Sequence, residues 1–465
     1  MSQKHFSSQW SCVRALAVLV TCCLFGQMPP ASAAAAEVAT DRDSAPRAAP
    51  SFVGVDFPLS SSSLVKQAAD LGVSWVRRSS LSWAAVEPIE GKRNWQATHA
   101  LENEFRLAAQ RQLRVIVIVR DTPPWAQAHA GAACGPVRSD KLAAFGTFMR
   151  EAVARFAKPP FNVLNYEIGN EPDVAIGAVP GDSGFGCWGN PADPYFGGRT
   201  YATALKAIYP QVKAASPSAR VLVGGLLLDC DPSAPPKGRT CVESRFLEGI
   251  LRAGGGTYFD AVSFHTYDFY GPVEGIYSNP NWASAWNTTG PALIRKVTFL
   301  RDALTRYGLT KPLLATELAL VCWQCQPPPA EYERTKINYL PQVYAIAKAQ
   351  NVQAGIWYSW EGWFGSNLVT NAGGSTPALD AFRVASAYLG QASFVRERTD
   401  IAGVRVYEFL RAGQRVWVMW PKDARTLGRA VTLPALPARM VDALGRTIKP
   451  QTTLILTAPV YVEWR

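Results

Sequence analysis

The sequence Leu164-Asn-Tyr-Glu-Ile-Gly-Asn-Glu-Pro-Asp173 is the stretch that decides the fold. It completes an apolar run that begins at Phe161, and a glycine and a proline interrupt that run around Glu171. A short apolar run bounded in this way is typical of a buried β-strand, so Glu171 is predicted to lie at the C-terminal end of a strand. A second apolar run, Pro312-Leu-Leu-Ala-Thr-Glu317, also ends on a glutamate. Two carboxylates are therefore expected at the ends of two strands.

Strand-like runs alternate with helical patterns from Ser51 onward. Eight strands that each precede a helix predict an α/β fold, a (β/α)8 TIM barrel, over residues 51–390. No glycine-rich phosphate-binding motif follows the first strand, which argues against a doubly wound dinucleotide-binding sheet. The predicted strands are Phe52–Asp56, Val73–Ser79, Val115–Arg120, Asn162–Ile168, Arg220–Leu226, Asp260–His265, Leu313–Glu317 and Val352–Trp360. The amphipathic stretches between them include Ser139–Lys158, Tyr201–Ala215, Ala292–Tyr307 and Tyr332–Gln350.

The pattern changes near Gly390. Segments that alternate apolar and polar residues follow, separated by turns at Ala412-Gly413 and Leu444-Gly445, and they predict a small all-β domain, a β-sandwich, over residues 391–465. This domain could pack against the barrel as a structural unit or bind carbohydrate, and the structural role is favoured. Its predicted strands are Val404–Phe409, Arg415–Trp420, Ala430–Leu433 and Thr453–Thr457.

Residues 1–33 have the features of an export signal peptide. Lys4 and Arg14 form a positive n-region, Ala15–Phe25 is apolar, and Ala31-Ser-Ala33 is a small-residue cleavage site. The apolar part is too short to span a membrane, and no later segment is long enough. We therefore predict a secreted or periplasmic protein without a membrane span.

The segment that follows, residues 34–50, is predicted to be a flexible leader. An alternative interpretation of the signal, a lipoprotein site at Cys22, is disfavoured because Thr21 is a poor residue before a lipidated cysteine. Removing the signal lowers the formal net charge from +11 to +9, through loss of Lys4 and Arg14. No dense lysine and arginine cluster accompanies this excess, so a nucleic-acid partner is not expected. The oligomeric state stays open.

Six cysteines remain after the signal: Cys134, Cys187, Cys230, Cys241, Cys322 and Cys325. An even number in an exported protein predicts disulfides, and proximity favours a bond between Cys230 and Cys241. The Cys322-Trp-Gln-Cys325 motif could be a tight bridge, a redox pair or half of a metal site. Export disfavours redox chemistry, and after the signal only His99, His129 and His265 remain as imidazole ligands, which gives little support for structural zinc. No metal or cofactor is predicted.

The two strand-end carboxylates suit glycoside hydrolysis. In a barrel, the ends of the fourth and seventh strands lie across the mouth from each other, so Glu171 and Glu317 can converge on one bond. A retaining glycosidase uses one protonated and one ionised carboxyl group. Glu171 is the predicted acid/base and Glu317 the predicted nucleophile. Either glutamate alone would more often be a buried ion-pair partner, but the pair favours catalysis.

The motifs resemble those of clan A glycoside hydrolases, most closely family 39-like retaining enzymes. The resemblance is carried by Asn170-Glu-Pro172 at the fourth strand, Thr316-Glu317 at the seventh, and Trp75-Val-Arg-Arg-Ser-Ser-Leu-Ser-Trp83 with Glu87-Pro88 beyond it. It covers residues 51–465, because those enzymes carry a β-sandwich after the barrel. It therefore implies the same two-domain fold and a two-glutamate mechanism.

The resemblance also implies roles for neighbours of Glu171. Asn170 would hydrogen-bond the sugar 2-hydroxyl, a contact that strengthens as positive charge develops on the sugar ring. The family often has tryptophan where this chain has Gly169, a difference that would widen the site. Glu167 is the rival carboxylate, and its deeper place in the strand favours a role in a polar network inside the barrel.

Further site residues are implied at other strand ends. Arg78 matches the family's arginine on the second strand and would keep Glu317 ionised, with Arg77 pointing to the opposite face. His265 and Tyr267 would line the cleft near Glu317.

Aromatic residues at strand ends are candidate platforms for sugar rings. Trp125 follows the third strand and Trp360 the eighth, and both are predicted to stack on substrate. Trp357 is predicted to be a core residue. The long glycine-rich loop after the fourth strand, which contains Phe185, is expected to shape substrate subsites.

The resulting prediction is an exported retaining O-glycoside hydrolase that acts on a poly- or oligosaccharide, with endo action favoured over exo. One alternative is a non-catalytic carbohydrate-binding protein on the same barrel, and another is a transglycosidase that shares the glycosyl-enzyme intermediate. Carboxylates more than about 7 Å apart would favour an inverting hydrolase or a binding protein.

Overall fold

The computed structural model describes residues 50–325, 328–370, 372–423 and 425–465. The predicted signal peptide, the alternative lipoprotein site and the leader up to residue 49 lie outside these residues. Within the part of the chain that is described, no helix is long and apolar enough to cross a membrane.

Eight parallel strands form a closed barrel in the described residues. Around the barrel the order is β5, β4, β3, β2, β1, β10, β9 and β6, and pairing between β5 and β6 closes it. Strands β7 and β8 extend β6 as short antiparallel partners. All eight predicted strands are present, which confirms the TIM barrel. The bounds are β1 Val53–Val55, β2 Trp75–Ser82, β3 Arg114–Arg120, β4 Asn165–Asn170, β5 Arg220–Leu226, β6 Ala261–Tyr270, β7 Tyr277–Asn279, β8 Ser284–Ala285, β9 Leu313–Val321 and β10 Ala354–Trp357.

Amphipathic helices surround the strands. In the fourth helix Phe145, Phe148, Met149, Ala152 and Phe156 are buried, which is the spacing of one helical face turned to the barrel. The helices are α1 Ser62–Asp70, α2 Trp83–Val86, α3 His99–Gln110, α4 Leu142–Phe156, α5 Gly198–Ala215, α6 Phe246–Arg252, α7 Ala292–Arg306, α8 Ala330–Ala349 and α9 Pro377–Leu389.

The interior of the barrel changes from apolar to polar along the strands. A buried cluster that includes Trp75, Ala261 and Leu314 fills its lower part. Two residues further along β2 lies Arg77, and further along β6 lies His265, both buried. Side chains two apart on a strand share a face, so the polar residues lie above the apolar layer. The C-terminal ends of the strands are therefore where charged side chains meet.

The C-terminal residues form a six-stranded antiparallel sheet and a two-stranded sheet, as the alternating pattern predicts. The six-stranded order is β11, β12, β13, β18, β15 and β16, and β14 pairs with β17. The bounds are β11 Ser393–Arg398, β12 Val404–Arg411, β13 Gln414–Pro421, β14 Ala430–Thr432, β15 Arg439–Asp442, β16 Thr447–Ile448, β17 Thr453–Ile455 and β18 Val460–Glu463.

One face of the six-stranded sheet packs on the barrel and the other on the two-stranded sheet. Tyr407 and Val418 belong to the same hydrophobic cluster as the barrel helices, whereas Val406 and Met419, one residue away, belong to a separate cluster. This alternation is that of a sheet buried on both faces. Such packing supports a structural role for the domain.

Three disulfides join the remaining cysteines. Cys230 bonds Cys241, as predicted from their proximity. Cys322 bonds Cys325, so this motif is a tight bridge. The third bond, between Cys134 and Cys187, ties the segment after β3 to the long loop after β4.

Candidate active site

Strand β4 ends by turning Glu171 into the mouth of the barrel. Gly169 and Glu171 both have positive φ, 78° and 52°, so the chain leaves the extended conformation here. A positive φ is uncommon for a residue with a side chain, and an anchoring contact must hold it. The Glu171 N–H donates to the Gly225 carbonyl of β5 at 2.9 Å, which supplies that contact. The side chain of Glu171 is buried.

Strand β9 brings Glu317 to the same place. Its register with β6 pairs Glu317 directly with His265, after an irregularity that shifts the pairing by one residue. His265 Nδ1 lies 2.7 Å from Glu171 Oε1 and 3.4 Å from Glu317 Oε2. One oxygen of each glutamate and a nitrogen of His265 lie within 4.8 Å of one another. The two carboxylates therefore converge on one site.

The arginine that contacts Glu317 is Arg77. Its Nη1 donates to Glu317 Oε1 at 2.8 Å, and its Nε and Nη2 donate to Glu167 Oε1 at 3.0 and 2.6 Å. Nη2 also donates to Asn170 Oδ1 at 2.6 Å. Glu167 thus lies in a polar network inside the barrel, as predicted, and it orients the guanidinium group toward Glu317.

The prediction that Arg78 contacts Glu317 is wrong. Arg78 points away from the barrel interior and forms ion pairs with Asp56 at 3.2 Å and with the exposed Glu361 at 2.8 Å. Asp56 follows β1 and is itself buried, and burial raises its pKa to about 7 against the opposing charge of Arg78. Because successive side chains on a strand point to opposite faces, Arg77 and Arg78 exchange the roles that were predicted for them.

Tyr267 lies where the resemblance predicts, beside Glu317. Its hydroxyl donates a short hydrogen bond to Glu317 Oε2. Burial and the negative charge of Glu317 raise the pKa of Tyr267 well above its usual value, so the phenol keeps its proton and remains a donor. Glu317 thus receives a hydrogen bond on each of its two oxygens, one from Arg77 and one from Tyr267.

The surroundings of the two glutamates differ in charge. Burial raises the pKa of Glu171 well above its usual value, and the charges of Glu317 and Asp173 raise it further. Burial also raises the pKa of Glu317, but the positive charge of Arg77 and the hydrogen bonds from Tyr267 and Arg77 oppose this rise. Of the pair, Glu171 is the better place for a proton and Glu317 the better place for a negative charge.

His265 does not line the open cleft. It is fully buried, and burial together with the charges of Arg77 and Lys296 lowers its pKa well below the usual value. The imidazole is therefore neutral. The prediction that it binds substrate is corrected to a positioning role, because its Nδ1 lies against the carboxylates of both Glu171 and Glu317.

A buried lysine that was not predicted contacts the backbone of the strand that carries His265. Lys296 of α7 donates to the carbonyls of His265 and Leu227, both at 2.8 Å. Burial lowers its pKa to about 8 despite the nearby charges of Asp173 and Glu171. The amphipathic pattern of this helix does not indicate that Lys296 is buried, because a lysine in such a pattern is normally exposed.

Asn170 lies at the rim, partly exposed, between the network and the loop after β4. Arg77 holds its Oδ1, and its Nδ2 donates to the Gly184 carbonyl at 3.4 Å. The Gly186 N–H donates to the Asn170 carbonyl, and the bond between Cys134 and Cys187 holds this loop in place. The loop leaves a crevice of only about 30 Å³ beside Asn170.

Of the two predicted tryptophan platforms, Trp360 is buried, whereas Trp125 is partly exposed and stays a prediction. Trp360 is 5% exposed and packs on Phe57 with ring centroids 4.4 Å apart, so this prediction is wrong. Trp125 is half-buried; its Nε1 donates to the Glu87 carbonyl, and its ring packs against Trp83. Trp357 is a core residue, as predicted.

The atoms that converge here could also contact a divalent cation. Glu171, His265 and Glu317 offer two oxygens and a nitrogen at suitable spacing. The guanidinium of Arg77, however, already supplies a positive charge to Glu317. That the site works without a metal or cofactor stays a prediction.

Comparison with known proteins gives similarity in fold. No protein-family model matches the sequence, and no curated protein matches it. The structure is similar to a family 39 glycoside hydrolase from the gut symbiont Bacteroides cellulosilyticus WH2, with a TM-score of 0.66 and 17% identity over 89% of this chain and 81% of that one. It is also similar to a conserved exported protein from Bacteroides fragilis, with a TM-score of 0.60 and 11% identity over 90% and 98% of the two chains.

A third similar structure is the glycoside hydrolase family 30 subfamily 8 xylanase Xyn30A from Clostridium acetobutylicum, with a TM-score of 0.58 and 11% identity over 89% of this chain and 95% of that one. Each match extends over both the barrel and the C-terminal sheets. The predicted resemblance to clan A glycoside hydrolases is therefore confirmed at the level of the fold.

Proposed function

We propose that this protein is an exported, retaining O-glycoside hydrolase that cleaves a poly- or oligosaccharide by double displacement. The observation that carries the proposal is the approach of the Glu171 and Glu317 carboxylates, with oxygens within 4.8 Å of each other. Retaining glycosidases hold these groups about 5–5.5 Å apart, whereas inverting enzymes leave about 6.5–9.5 Å for a water molecule.

In the first step, an oxygen of Glu317 attacks the anomeric carbon of the bound sugar. The bond from that carbon to the leaving-group oxygen breaks, and this oxygen takes the proton of Glu171. In the second step, Glu171 accepts a proton from water, whose oxygen attacks the same carbon and releases Glu317. The raised pKa of Glu171 supports its role as the proton donor.

The histidine tautomer fits this order of events. Nε2 of His265 is buried and faces Gly225, with no hydrogen-bond partner among the described residues, whereas Nδ1 faces Glu171. An unpaired N–H donor is less tolerated in a protein interior than an unpaired acceptor. We therefore assign the ring proton to Nδ1, which donates to Glu171 Oε1. The carboxylic proton of Glu171 then lies on Oε2, free of His265.

Asn170 is proposed to bind the sugar hydroxyl beside the anomeric carbon. Arg77 fixes its amide by holding Oδ1, and one hydrogen of Nδ2 is directed to the Gly184 carbonyl, so that the second Nδ2 hydrogen is the one to donate to a ligand. A donor in this position stabilises the transition state more than the ground state as charge develops on the ring.

Export is supported by the three disulfides, because such bonds persist in oxidising compartments. A similar structure, from Bacteroides fragilis, is described as an exported protein. The predicted signal peptide is consistent with both observations.

The experiment that tests the function is release of new reducing ends from a panel of neutral and acidic polysaccharides. The mature protein is compared with Glu317→Gln and with Glu361→Gln, an identical change at an exposed glutamate outside the network. We expect release by the parent and by Glu361→Gln, and none from Glu317→Gln. A parent that binds a polymer without releasing ends would instead support the carbohydrate-binding alternative.

Chemical rescue then assigns the two roles. With azide as an added nucleophile, Glu171→Ala should form a glycosyl azide that retains the substrate configuration, because Glu317 still forms the covalent intermediate. Glu317→Ala should give the inverted azide. Inversion in both variants, or inverted product from the parent, would contradict a retaining mechanism.

A further inference from the structure

The Cys322-Trp-Gln-Cys325 bridge presents an exposed tryptophan close to the candidate centre. Strand β9, which carries Glu317, runs directly into this bridge. Trp323 is 53% exposed, although tryptophan is normally among the most buried side chains. A short disulfide loop restricts the conformations of the residues it encloses, so the indole is held in place at the surface.

A second tryptophan lies between the ring of Trp323 and the candidate active site. Trp363, which is 36% exposed, lies 5.4 Å from Tyr267 between ring centroids and 5.5 Å from Trp323. Phe364 stacks behind Trp323 at 4.3 Å and supports it. Since Tyr267 contacts Glu317, a line of aromatic rings leads outward from the nucleophile.

The space on the two sides of the site is unequal. Beside Asn170 the loop after β4 folds back and leaves only about 30 Å³. Beside Trp323 a cleft of about 380 Å³ is lined by Phe269, Tyr270 and Pro280. A chain that passes through the site has more room on the side of Trp323.

We propose that Trp363 and Trp323 form an outer sugar-binding platform, on which successive pyranose rings of a substrate chain stack beyond the ring held between Glu171 and Glu317. This inference rests on the proposed function and adds that the substrate is a chain of at least three sugar units cleaved internally. Indole rings suit the apolar faces of pyranoses, and their N–H groups tolerate a wet surface. The crevice beside Asn170 also has aromatic residues in its lining, but with about 30 Å³ it has no room for a sugar ring.

The test measures chain-length dependence. The substrates are oligosaccharides of two to six units prepared from whichever polymer of the panel the parent hydrolyses. Trp323→Ala should lower kcat/KM on the longest oligosaccharides by about 3- to 10-fold, the size expected for one aromatic contact, and leave the disaccharide unchanged. Trp323→Phe should restore most of the loss because it keeps a ring. Leu436→Ala, at an exposed apolar residue of the C-terminal domain, is the control and should match the parent.

The outcomes separate the two proposals. An active parent whose Trp323→Ala variant shows no change at any length, or an equal loss at every length, would overturn the platform and leave the hydrolase intact. A parent inactive on the whole panel would overturn the proposed function and the platform with it. Loss confined to long chains, with rescue by Trp323→Phe, supports both.

Discussion

Replacing Tyr267 by phenylalanine removes one hydrogen bond to Glu317 and little else. The ring keeps its contacts with Trp363 and Tyr358, and Glu317 keeps its hydrogen bond from Arg77 at 2.8 Å. The hydroxyl of Tyr267 favours the ionised form of Glu317 and so lowers the pKa of that carboxyl. Without the hydroxyl, that pKa rises and Glu317 is ionised only at higher pH.

The size of the effect follows from the interaction that is lost. A hydrogen bond to a charged group contributes about 1.5–3 kcal/mol, which corresponds to a factor of about 10 to 150. The loss of kcat/KM should reach this range at acidic pH, where Glu317 of the variant is protonated and that of the parent is ionised. It should shrink as pH rises, because Glu317 then loses its proton in both proteins.

The assay is a pH profile of kcat/KM for the parent, Tyr267→Phe and Tyr358→Phe. The acidic limb should move to higher pH in Tyr267→Phe alone, because Tyr358 contacts the ring of Tyr267 without a hydrogen bond to Glu317 in the described residues. Melting temperatures within a few degrees of the parent would show that all three proteins are folded. A loss of the same size at every pH would refute the argument, since it would mean that Tyr267 acts other than by ionising Glu317.

Three further predictions concern the rest of the site. Arg77→Lys should lower kcat/KM by about two orders of magnitude or more, because breaking a buried pair costs about 3–5 kcal/mol. Arg78→Lys should remain within about fivefold, because lysine keeps the positive charge beside Asp56, and the exposed pair with Glu361 contributes only about 0–1 kcal/mol. Equal effects would contradict the corrected assignment. Glu171→Gln should have a higher melting temperature than the parent, and the difference should grow as pH rises above about 4.3. The reason is that the carboxyl of the folded parent, with its raised pKa, keeps a proton that the unfolded chain has released. A difference in melting temperature that does not depend on pH would refute this. Gly225→Ala should lower kcat/KM about 10- to 100-fold with the far-ultraviolet circular dichroism unchanged, because the added methyl group would collide with the His265 ring at a cost of about 1–3 kcal/mol; full activity would show that the imidazole can move.

The barrel could be predicted because its strands are buried on both faces. Such strands appear in a sequence as continuous apolar runs, and the predicted strand Arg220–Leu226 coincides with β5. The short partners β7 and β8 were missed, since three and two residues are too few to show a period. Their pairing depends on a turn whose conformation the apolar pattern does not encode.

The sequence alone does not determine which of Arg77 and Arg78 points into the barrel. Trp75 and Val76 at the start of β2 are both apolar and both buried, so alternation does not reveal which face is the interior. Only the packing of Trp75 inside the barrel places Arg77 on the inner face. The prediction for Trp360 was wrong for a related reason. The sequence does not determine the direction of a ring just beyond a strand end, and this ring packs against Phe57.

The barrel assigns different chemistry to two identical side chains by what it places around each. Glu317 receives a guanidinium and a phenol, both donors, so its ionised form is favoured within a buried site. Glu171 is buried and lies near the charge of Glu317, so its protonated form is favoured. Once Glu317 bonds to the sugar its negative charge is lost, and one cause of the raised pKa of Glu171 is lost with it. The same carboxyl that donated a proton in the first step thereby becomes a carboxylate that can accept one from water in the second. The proximity of the two carboxylates thus couples the steps, and separating them would impair both.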